Sequence, residues 1–572
     1  MASDAPSDAA SWRTPMSVLT RLFGMFSPLS LFSVAALGQS YAVIGPARQV
    51  NPSGSTWREC SVAARFGNPQ EVVAAANDIP SGRTAYGVTL NGGLSFVNGQ
   101  IPSFGLDPWV AADPVTDAIW ITALGTGQQP CQGGCVAVAW KAPGATTFNL
   151  GCTVFDTGAS PLGLPDKPAI GIGPNGQHHV ALLASRYQGG PDHAMWSSRG
   201  NPPGICPWVT DRVQPFDNHS GPEWEGWGSI PVILSTGRIV VVTRDEKKSG
   251  QQYQWEYNGG LPHVAYADAP NPDLDWKPDD EVPILVAEGA AIQPTQIQVG
   301  DSGNFRGDSP YAIDRRQCAP AIAVDPDNDD IYVAFYARHV PGSFQDNLNT
   351  DIYISRGFDT GGSLVFPGLP GDPNLLHLID ELLTGQPGGV KGPDQVMPSI
   401  VVDACGGVNL VFYDNRHDPD LADDVHWMDL YYVRITGYGT PQQAIQQERL
   451  TPASFRLNDL PGLFLGDYHN MVAASPGMTS PTPLVYPAYI ALAQDEQGNW
   501  TRQNCYLRKI TIYCSGDLNL NGELDDEDVR LFDAAFAEKR CEADLTGDDV
   551  VDNADEKLFR EIRARGCNSR GR

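Results

Sequence analysis

The stretches CAPAIAVDPDNDDIYVAFYAR at residues 318–338 and VMPSIVVDACGGVNLVFYDNR at residues 396–416 follow one pattern. Each contains a proline, a short apolar run, an aspartate, a turn, and a longer apolar run that ends near an arginine. Short apolar runs bounded by turn residues predict β-strands, so each stretch predicts two antiparallel strands. A strand–turn–strand unit that recurs predicts a body built from similar sheets.

Five further stretches follow the same pattern less closely. They are residues 59–78, 106–124, 167–186, 228–244 and 465–475, the last continuing in LVYPAYIALA. A third strand, such as DIYISRG at 351–357, follows several copies, and often a fourth. Four strands that recur seven times predict a mainly β fold, a β-propeller of six or seven blades over residues 43–512. The alternative is a pair of β-sandwich domains, which do not require one unit seven times.

Two glycine-rich turns carry a family resemblance. TLNGGLSF at 89–96 lies where a third strand is predicted to turn into a fourth, and it resembles the Asp-box of sialidase-like propellers, with Asn91 in place of the aspartate. FDTGGSLVF at 358–366 is a looser candidate. Together with the repeat, these turns make the body resemble the bacterial sialidase/BNR-repeat superfamily. Asp-boxes are structural turns, so they bear on the fold and not on catalysis.

The C-terminal segment contains two acidic twelve-residue stretches, DLNLNGELDDED at 517–528 and DLTGDDVVDNAD at 544–555. Calcium loops take oxygen ligands from positions 1, 3, 5, 7, 9 and 12, because a hard cation needs six to eight oxygens. The predicted Ca²⁺ ligands are Asp517, Asn519, Asn521, Glu523, Asp525, Asp528, Asp544, Thr546, Asp548, Val550, Asp552 and Asp555, with Glu523 and Val550 contributing carbonyl oxygens. An apolar helical pattern follows each loop. The alternative is an acidic, solvated tail.

A calcium loop followed by a helix, repeated once, resembles a type I dockerin over residues 514–567. The spacing of 27 residues leaves room for only one helix between the loops, unlike an ordinary EF-hand pair. The resemblance implies a small α-helical domain that binds a cohesin-like partner through loop positions 10 and 11. Those positions hold Asp526 with Glu527 and Asn553 with Ala554.

The propeller prediction places one set of polar residues on a single face. The start of a first strand and the end of a second strand lie on the same side of a sheet, here called the mouth face. The repeat predicts four arginines at equivalent positions there, which are Arg186, Arg244, Arg338 and Arg416. The same register adds Asp107, Asp245, His339, Asp414, His417, Asp467 and Tyr468, and the loop at 221–228 adds Glu223, Trp224, Glu225 and Trp227.

The sialidase resemblance implies catalytic roles for this set. Sialidases need arginines for the substrate carboxylate, a tyrosine nucleophile paired with a glutamate, and an aspartate acid/base. The predicted residues are Arg244, Arg338, Arg416, Asp414, Tyr468 and Glu225, with Tyr336, Tyr413, Glu223 and Asp107 as alternatives. In the structural interpretation, the arginines instead form salt bridges with aspartates such as Asp325 and Asp403.

Composition and the N-terminus bear on the compartment. The chain has 572 residues and a net charge of −29, which disfavours nucleic acid as a partner. Arg13 and Arg21 precede an apolar stretch, and small residues at Ser40 and Ala42 fit a cleavage site. Residues 1–42 are therefore interpreted as a secretory signal, with a transmembrane anchor as the alternative. After cleavage the chain is predicted to be exported, without a stable membrane span.

Eleven cysteines fit an oxidising compartment. The motif CQGGC at 131–135 favours a short disulfide over half of a metal site, since no nearby cysteine pair or histidine completes a zinc set. Two functional hypotheses follow from the sequence. The first is a secreted glycoside hydrolase of exo-sialidase type that acts on a glycan. The second is a non-catalytic propeller that binds glycans or proteins and is displayed by the dockerin.

Overall fold

A computed structural model describes most of the body and part of the tail; in some of the strands it describes only the backbone. The described residues are 40–125, 135–156, 164–173, 180–187, 195–198, 211–213, 224–247, 262–267, 276–277, 284–285, 292–293, 320–339, 350–367, 373–378, 395–419, 427–441, 443–456, 465–466, 468–474, 483–494, 500–513, 516, 518, 525–539, 543 and 551–565. The predicted signal before residue 40 lies outside them.

The described chain consists mainly of short strands. The first ten are β1 (Tyr41–Ile44), β2 (Arg48–Gln49), β3 (Trp57–Ala64), β4 (Val72–Asp78), β5 (Arg83–Thr89), β6 (Val97–Gln100), β7 (Trp109–Ala112), β8 (Ile119–Leu124), β9 (Cys135–Lys141) and β10 (Asn149–Asp156). The next ten are β11 (Leu164–Ile172), β12 (Val180–Tyr187), β13 (Met195–Ser198), β14 (Asp211–Val213), β15 (Trp224–Ile233), β16 (Ile239–Lys247), β17 (Pro262–Ala267), β18 (Trp276–Lys277), β19 (Ile284–Leu285) and β20 (Ile292–Gln293).

The remaining strands lead to two helices. The strands are β21 (Ala321–Val324), β22 (Ile331–His339), β23 (Thr350–Asp359), β24 (Leu364–Val365), β25 (Leu375–Leu378), β26 (Gln395–Val402), β27 (Val408–Asp414), β28 (Trp427–Thr436), β29 (Ala444–Arg449), β30 (Phe455–Arg456), β31 (Met471–Ala474), β32 (Leu484–Gln494), β33 (Trp500–Leu507) and β34 (Ile510–Tyr513). The helices are α1 (Asp526–Ala537) and α2 (Asn553–Arg565).

Within the described residues, the strands pair into seven antiparallel sheets that follow one another along the chain. The first to sixth sheets contain β3–β6, β7–β10, β11–β14, β15–β19, β20–β25 and β26–β30, and the seventh contains β31–β34 with β1 and β2. Each sequence copy coincides with two consecutive strands that pair with each other. For residues 396–416 these strands are β26 and β27. The prediction of a mainly β body is confirmed.

The strands that begin the seven sequence copies contact one another in a cycle. The order is β3, β7, β11, β15, β21, β26, β31 and again β3. All seven strands line one cavity of about 730 Å³, through residues that include Val62, Val110, Ile172, Val232, Ile322, Ile400 and Val472. A closed cycle of sheets around a common cavity removes the exposed strand edges that an open array would leave.

The two ends of the body meet in the seventh sheet. Strand β1 pairs with β34, and β2 pairs with β33, so N-terminal strands complete a sheet otherwise built from the C-terminal part of the body. A disulfide between Cys60 in β3 and Cys505 in β33, with Cα atoms 6.4 Å apart, links the first sheet to the seventh. The ring is therefore closed by hydrogen bonds and by a covalent bond.

The Asp-box-like turn lies where the sequence predicts it, between β5 and β6. Asn91 Nδ2 donates to Ser95 Oγ at 2.9 Å, and the Gly93 N–H donates to Thr89 Oγ1 at 2.9 Å. Gly92 and Gly93 have φ values of 67° and 93°, which glycine adopts most easily. The second candidate, at 358–366, also lies between a third and a fourth strand, β23 and β24.

The two tail helices pack through one small apolar core. Asp525 caps α1 by accepting from the Glu527 N–H at 2.8 Å, and Asp528 accepts from the Asp525 N–H at 2.9 Å. The core contains Phe532, Ala535, Ala543 and Phe559. The described part of the chain has no helix long and apolar enough to cross a membrane.

Candidate functional site

A recurrent irregularity marks the start of the first strands on the mouth face. In several sheets the ladder skips register there, as between Arg58 and Ser61 and between Val396 and Ser399. In four sheets, the residue that lies two positions before the first regularly paired residue of the first strand has a left-handed φ. These residues are Glu59 (55°), Asp107 (61°), Lys167 (48°) and Met397 (52°). Such a conformation costs about 1–2 kcal/mol for a residue with a Cβ, so the surrounding contacts must hold it.

The strand register does not support the predicted equivalence of the four arginines. The first regular pairs after the skip, or at the strand start, are Ala169↔Leu183, Ile230↔Val242, Ala321↔Ala334 and Ser399↔Val411. The distance of each arginine is counted from the second-strand residue of its pair. Arg244 lies two residues further along the chain, Arg186 three, Arg338 four and Arg416 five. No two occupy one register position, because the number of residues between the paired residue and the arginine differs between copies. The prediction of four equivalent arginines is wrong.

Arg416 is held within the sixth sheet by its near neighbour Asp414. Its Nε and Nη2 lie 2.9 and 2.5 Å from Asp414 Oδ2, and its Nη1 donates to Gln447 Oε1 at 3.1 Å. The guanidinium also lies over the ring of Tyr431, with Cζ 3.7 Å from the centroid. Asp414 is fully buried and the Arg416 side chain is 9 % exposed. The two residues therefore form a neutral pair at the end of β27.

A second pair in the sixth sheet presents an imidazole to solvent. His417 Nδ1 lies 2.8 Å from Oδ2 of buried Asp429, while the His417 side chain is 44 % exposed. Asp429 also accepts from Arg449 Nε at 2.8 Å, from Thr451 Oγ1 at 2.6 Å and from Ser454 Oγ at 2.8 Å. This network assigns the proton to Nδ1 and leaves Nε2 as an acceptor.

The hydroxyl of Tyr431 continues this arrangement. It lies 3.3 Å from His417 Nε2 and 3.4 Å from His417 Nδ1, so the hydroxyl contacts the imidazole, and the three residues are here called the Asp429–His417–Tyr431 relay. Burial raises the pKa of Tyr431 to about 12, and the Arg416 guanidinium opposes that shift. The raised pKa means that the phenol keeps its proton unless the imidazole accepts it. A phenol, an imidazole and an orienting carboxylate are the residue types of a nucleophile, its base and its orienting group.

Three sheets contribute to another polar group, here called the carboxylate–lysine cluster and made of Glu59, Asn77, Asp107 and Lys167. Lys167 Nζ lies 2.7 Å from Glu59 Oε1 and 3.2 Å from Asp107 Oδ1. Asn77 Nδ2 donates to the carboxylates of Glu59 and Asp107, and Asn77 Oδ1 accepts from the Asp107 N–H at 2.7 Å. Glu59 and Asp107 are buried, and the Lys167 side chain is 11 % exposed.

The charges of this cluster favour one retained proton. Burial raises the pKa of Glu59 to about 7; the Lys167 ammonium opposes that shift, and the hydrogen-bonded neighbour Asp107 adds to it. Two carboxylates and one ammonium would leave a buried net negative charge, whereas one proton on the carboxyl pair makes the group neutral. Gly466 borders Glu59, and a Cβ at that position would collide with the Glu59 side chain.

The tyrosines of the catalytic prediction lie in different places. The Tyr468 hydroxyl donates to the Pro108 carbonyl at 2.9 Å, its ring lies 5.5 Å from that of Trp109, and Lys167 Nζ lies 5.8 Å from its centroid. Tyr468 thus borders the carboxylate–lysine cluster, whereas Arg416 and Asp414 border the relay. Tyr413 is fully buried and donates to the Ile490 carbonyl at 2.8 Å, and burial raises its pKa.

The structure describes the other predicted catalytic residues only in part. Glu225, Arg244 and Arg338 lie in β15, β16 and β22, but their side chains are outside the described residues. Two groups that carry the local chemistry were not in the sequence prediction, namely Asp429 in β28 and Glu59 with Lys167 in the bulges. A signal existed for the second group, since Glu59, Asp107 and Lys167 occupy the same place in their copies, directly before Cys60, Pro108 and Pro168.

The tail was tested for its fit to Ca²⁺ at the loop positions that the structure describes. Asp528 and Asp555, at position 12 of each loop, are buried, and each accepts from the N–H of the position-9 residue. Two carboxylates held inward at repeat-related positions suit a calcium loop. No group of three metal-binding side chains occurs among the described residues. Asp517, Asn519, Asn521, Glu523, Asp544, Thr546, Asp548 and Val550 lie outside them.

The similarity of this chain to known proteins is confined to distant solved structures. No family model matches the chain, and no curated protein matches it. Similar solved structures include an α-L-arabinofuranosidase from Fusarium graminearum, at 8 % identity and TM-score 0.36, covering 84 % of this chain and 98 % of that one.

Two more structures are similar at the same level. A polysaccharide lyase shares 10 % identity at TM-score 0.40, covering 79 % of this chain and 90 % of that one. A Hadza microbial sialidase shares 10 % identity at TM-score 0.30, covering 76 % of this chain and 63 % of that one. At these scores the likenesses decide neither reaction nor substrate.

Proposed function

We propose that the ring is a seven-bladed β-propeller with glycoside hydrolase activity of exo-sialidase type. The single observation that supports it is the Asp429–His417–Tyr431 relay on the mouth face, with His417 Nδ1 2.8 Å from Asp429 and Nε2 3.3 Å from the Tyr431 hydroxyl. Sialidases differ from most glycoside hydrolases in using a tyrosine nucleophile. The relay supplies such a tyrosine, with a histidine as its base.

In this proposal, each residue has a stated task. Tyr431 Oη attacks the anomeric carbon while His417 Nε2 takes its proton; the bond from that carbon to the aglycone oxygen breaks, and the imidazolium protonates the leaving oxygen. Water then hydrolyses the glycosyl–tyrosine bond, and the phenol regains a proton. Asp429 orients the imidazole and stabilises its charged form. Arg416, 3.7 Å from the Tyr431 ring centroid, stabilises developing negative charge on the phenol. Arg449, whose side chain is 32 % exposed beside Asp429, faces the substrate and favours one with a carboxylate.

The experiment is turnover of a fluorogenic sialoside and a panel of other fluorogenic glycosides by the full chain. We expect release from the sialoside, and a loss of at least about 10²-fold in kcat for Tyr431→Phe. The matched control is His377→Gln, because His377 pairs with Asp351 at 2.9 Å in the fifth sheet, outside the relay. No turnover of any glycoside, or full activity of Tyr431→Phe, would contradict the proposal.

For the tail, we propose a dockerin-like module in which Ca²⁺ is held by the two acidic loops and a cohesin-like protein binds the duplicated face. When bound, the cation would tie the loop oxygens of Asp525, Asp528, Asp552 and Asp555 to those of the preceding loop positions. The support is the 27-residue repeat together with the buried position-12 carboxylates. Export through the N-terminal signal is part of the same proposal.

A second function, glycan or protein binding without catalysis, is favoured by one observation. The guanidinium groups of Arg416 and Arg449 both contact buried carboxylates, those of Asp414 and Asp429, so each is part of a neutral pair. Paired arginines offer less charge to a substrate carboxylate. Saturable binding of a glycan by the full chain, without cleavage and unchanged by Tyr431→Phe, would select this function.

A further inference from the structure

The carboxylate–lysine cluster has no task in the proposed reaction. It lies at the starts of the first three sheets, where Tyr468 and Gly466 border it. Three residues with left-handed φ hold an amine and two carboxyl groups within hydrogen-bond distance of one another. Backbone strain at three positions that lie close together in space must be offset by an interaction between their side chains.

An amine and a carboxyl group that are held together and shielded from water can condense to an amide. Three conditions must be met: the reacting atoms must be in contact, a neighbouring acid must carry protons between them, and bulk water must be excluded. Preorganised groups in contact reach effective molarities of about 10⁵–10⁸ M, which offsets the cost of condensation in water. A low-dielectric site also favours the neutral amine and the neutral acid over the ion pair.

The cluster meets each condition. Lys167 Nζ lies 3.2 Å from Asp107 Oδ1, so amine and carboxyl are in contact. Glu59 lies 2.7 Å from the same amine and is hydrogen-bonded to Asp107, so it bridges the two reacting groups. Asn77 donates to Asp107 Oδ1 at 3.2 Å, which polarises the carbonyl. Burial raises the pKa of Glu59 to about 7, so it holds a proton to donate.

We propose that Lys167 and Asp107 form an intramolecular isopeptide bond, promoted by Glu59, which covalently joins the second and third sheets. In the starting state Glu59 is protonated, Asp107 is ionised and Lys167 is an ammonium. A proton passes from Lys167 to Asp107. The neutral amine then attacks Asp107 Cγ while Glu59 protonates the carbonyl oxygen and takes a proton from nitrogen.

Collapse of the intermediate breaks the bond from Cγ to the hydroxyl oxygen and expels one water molecule. Glu59 regains its proton, and the amide keeps one N–H. Charge is zero before and after, and no oxidant or other reactant is needed. The product replaces a buried ion pair by a neutral amide, whose N–H has the Glu59 carboxyl as an acceptor.

The bond would close a loop between positions 107 and 167. In the propeller this loop contains the whole second sheet, from β7 to β10, so the link ties that sheet to the first strand of the next. The Cys60–Cys505 disulfide ties the first sheet to the seventh in a similar way. Covalent links that close long loops stabilise chiefly by restricting the unfolded chain.

The test is intact-mass measurement of the reduced full chain, followed by peptide mapping. We expect the wild-type mass to fall short of the sequence mass of the mature chain by one water, and a branched peptide to join the segments that contain Asp107 and Lys167. Lys167→Arg keeps the charge but cannot form the amide, and Glu59→Gln keeps the shape but cannot relay protons. Both variants are expected to show the full mass.

An internal control is available in the second sheet. Lys141 contacts Glu71 and both are buried, but the third member of that group is Arg65, at 2.9 Å from Glu71, and not a second acid. The mass of the Lys141→Arg chain is therefore expected to fall short by one water, as in the wild-type chain. A wild-type chain of full mass overturns the proposal, as does a bond that persists in Glu59→Gln or a loss of ammonia, which would place the bond on Asn77.

Discussion

Phe532 and Phe559 stack in parallel across the two tail helices, with ring centroids 4.0 Å apart and 3° between their planes. They are 27 residues apart, the same spacing that separates the two acidic loops. The contact therefore joins residues at equivalent positions of the two loop–helix sequence units. Among the described tail residues, apolar side chains of both units share one core, so a ligand that orders a loop is expected to support this contact as well.

Calcium is expected to stabilise the tail through both loops. At a concentration 100-fold above Kd, binding to one site stabilises the folded form by about 2.7 kcal/mol. Hydrogen exchange of α1 and α2 in the full chain should slow on addition of Ca²⁺. Asp528→Asn should weaken the effect, because Asp528 is a buried position-12 carboxylate.

Asp526→Asn is the matched control for the calcium prediction. Asp526 lies at loop position 10 and its side chain is 97 % exposed, so its substitution should leave the calcium response unchanged. Exchange rates in the wild-type chain that do not change with Ca²⁺ would contradict the assignment.

Asp429→Asn is expected to reduce turnover more than it affects substrate binding. An asparagine cannot hold the His417 tautomer in the same way or stabilise its charged form, so kcat should fall by about 10²–10⁴-fold with little change in KM. The measurement is steady-state kinetics on the glycoside that the wild-type chain cleaves. Asp351→Asn serves as the control, because Asp351 pairs with His377 in the fifth sheet. Equal losses in both variants would indicate a general structural effect.

His469 is expected to make the body less stable in acid. It lines the central cavity and packs edge to face on Tyr413, and burial lowers its pKa to about 4 while the Val411 carbonyl opposes that shift. Since the unfolded chain binds the proton near pH 6.5, stability is full above that pH and falls as the pH drops towards 4. The steepest slope is roughly 1.4 kcal/mol per pH unit.

Replacement of His469 by phenylalanine tests this pH dependence. The variant keeps an aromatic ring against Tyr413 but cannot take up a proton, so its urea midpoint should change less between pH 6.5 and pH 4 than that of the wild-type chain. At neutral pH the urea midpoints of the two chains should differ only by a constant amount. Parallel pH profiles would show that His469 does not titrate on unfolding.

Loss of the Cys60–Cys505 disulfide is expected to weaken closure of the ring. The double variant Cys60→Ala with Cys505→Ala should lower the free energy of unfolding by about 2–5 kcal/mol, because the unfolded chain gains freedom. Urea unfolding of the body is the measurement. Cys405→Ala, in the turn before β27, is the control and should have a smaller effect. An unchanged midpoint in the double variant would mean that strand pairing alone closes the ring.

Much of the architecture was readable from the order of residues. The seven strand–turn–strand copies coincide with paired strands because alternation of apolar runs and turns is a local property, set by backbone conformation and burial. The turn at Thr89–Phe96 was placed correctly for the same reason, since Asn91, Gly92 and Gly93 specify a tight turn without help from distant residues.

The predicted ring of equivalent arginines does not form, because their positions depend on the strand register and not on the local sequence pattern. The arginines lie two to five residues beyond the first regular pair of their strands, and a shift of one residue moves a side chain to the other face. The similar endings of the copies therefore concealed four different positions. Arg416 contacts Asp414 and Tyr431 of its own sheet, and the repeat pattern does not predict these packing contacts.

The order of amino acids by itself determined that this chain makes repeated strands and ends in a duplicated acidic unit, because both are patterns over a few neighbouring residues. Only the tertiary structure decided which distant side chains meet. Residues 59, 107 and 167 come together because neighbouring sheets pack against one another around the ring, whereas 417, 429 and 431 meet within the sixth sheet because β27 pairs with β28. Proximity across the ring depends on the closure of all the sheets at once, and no short stretch encodes it.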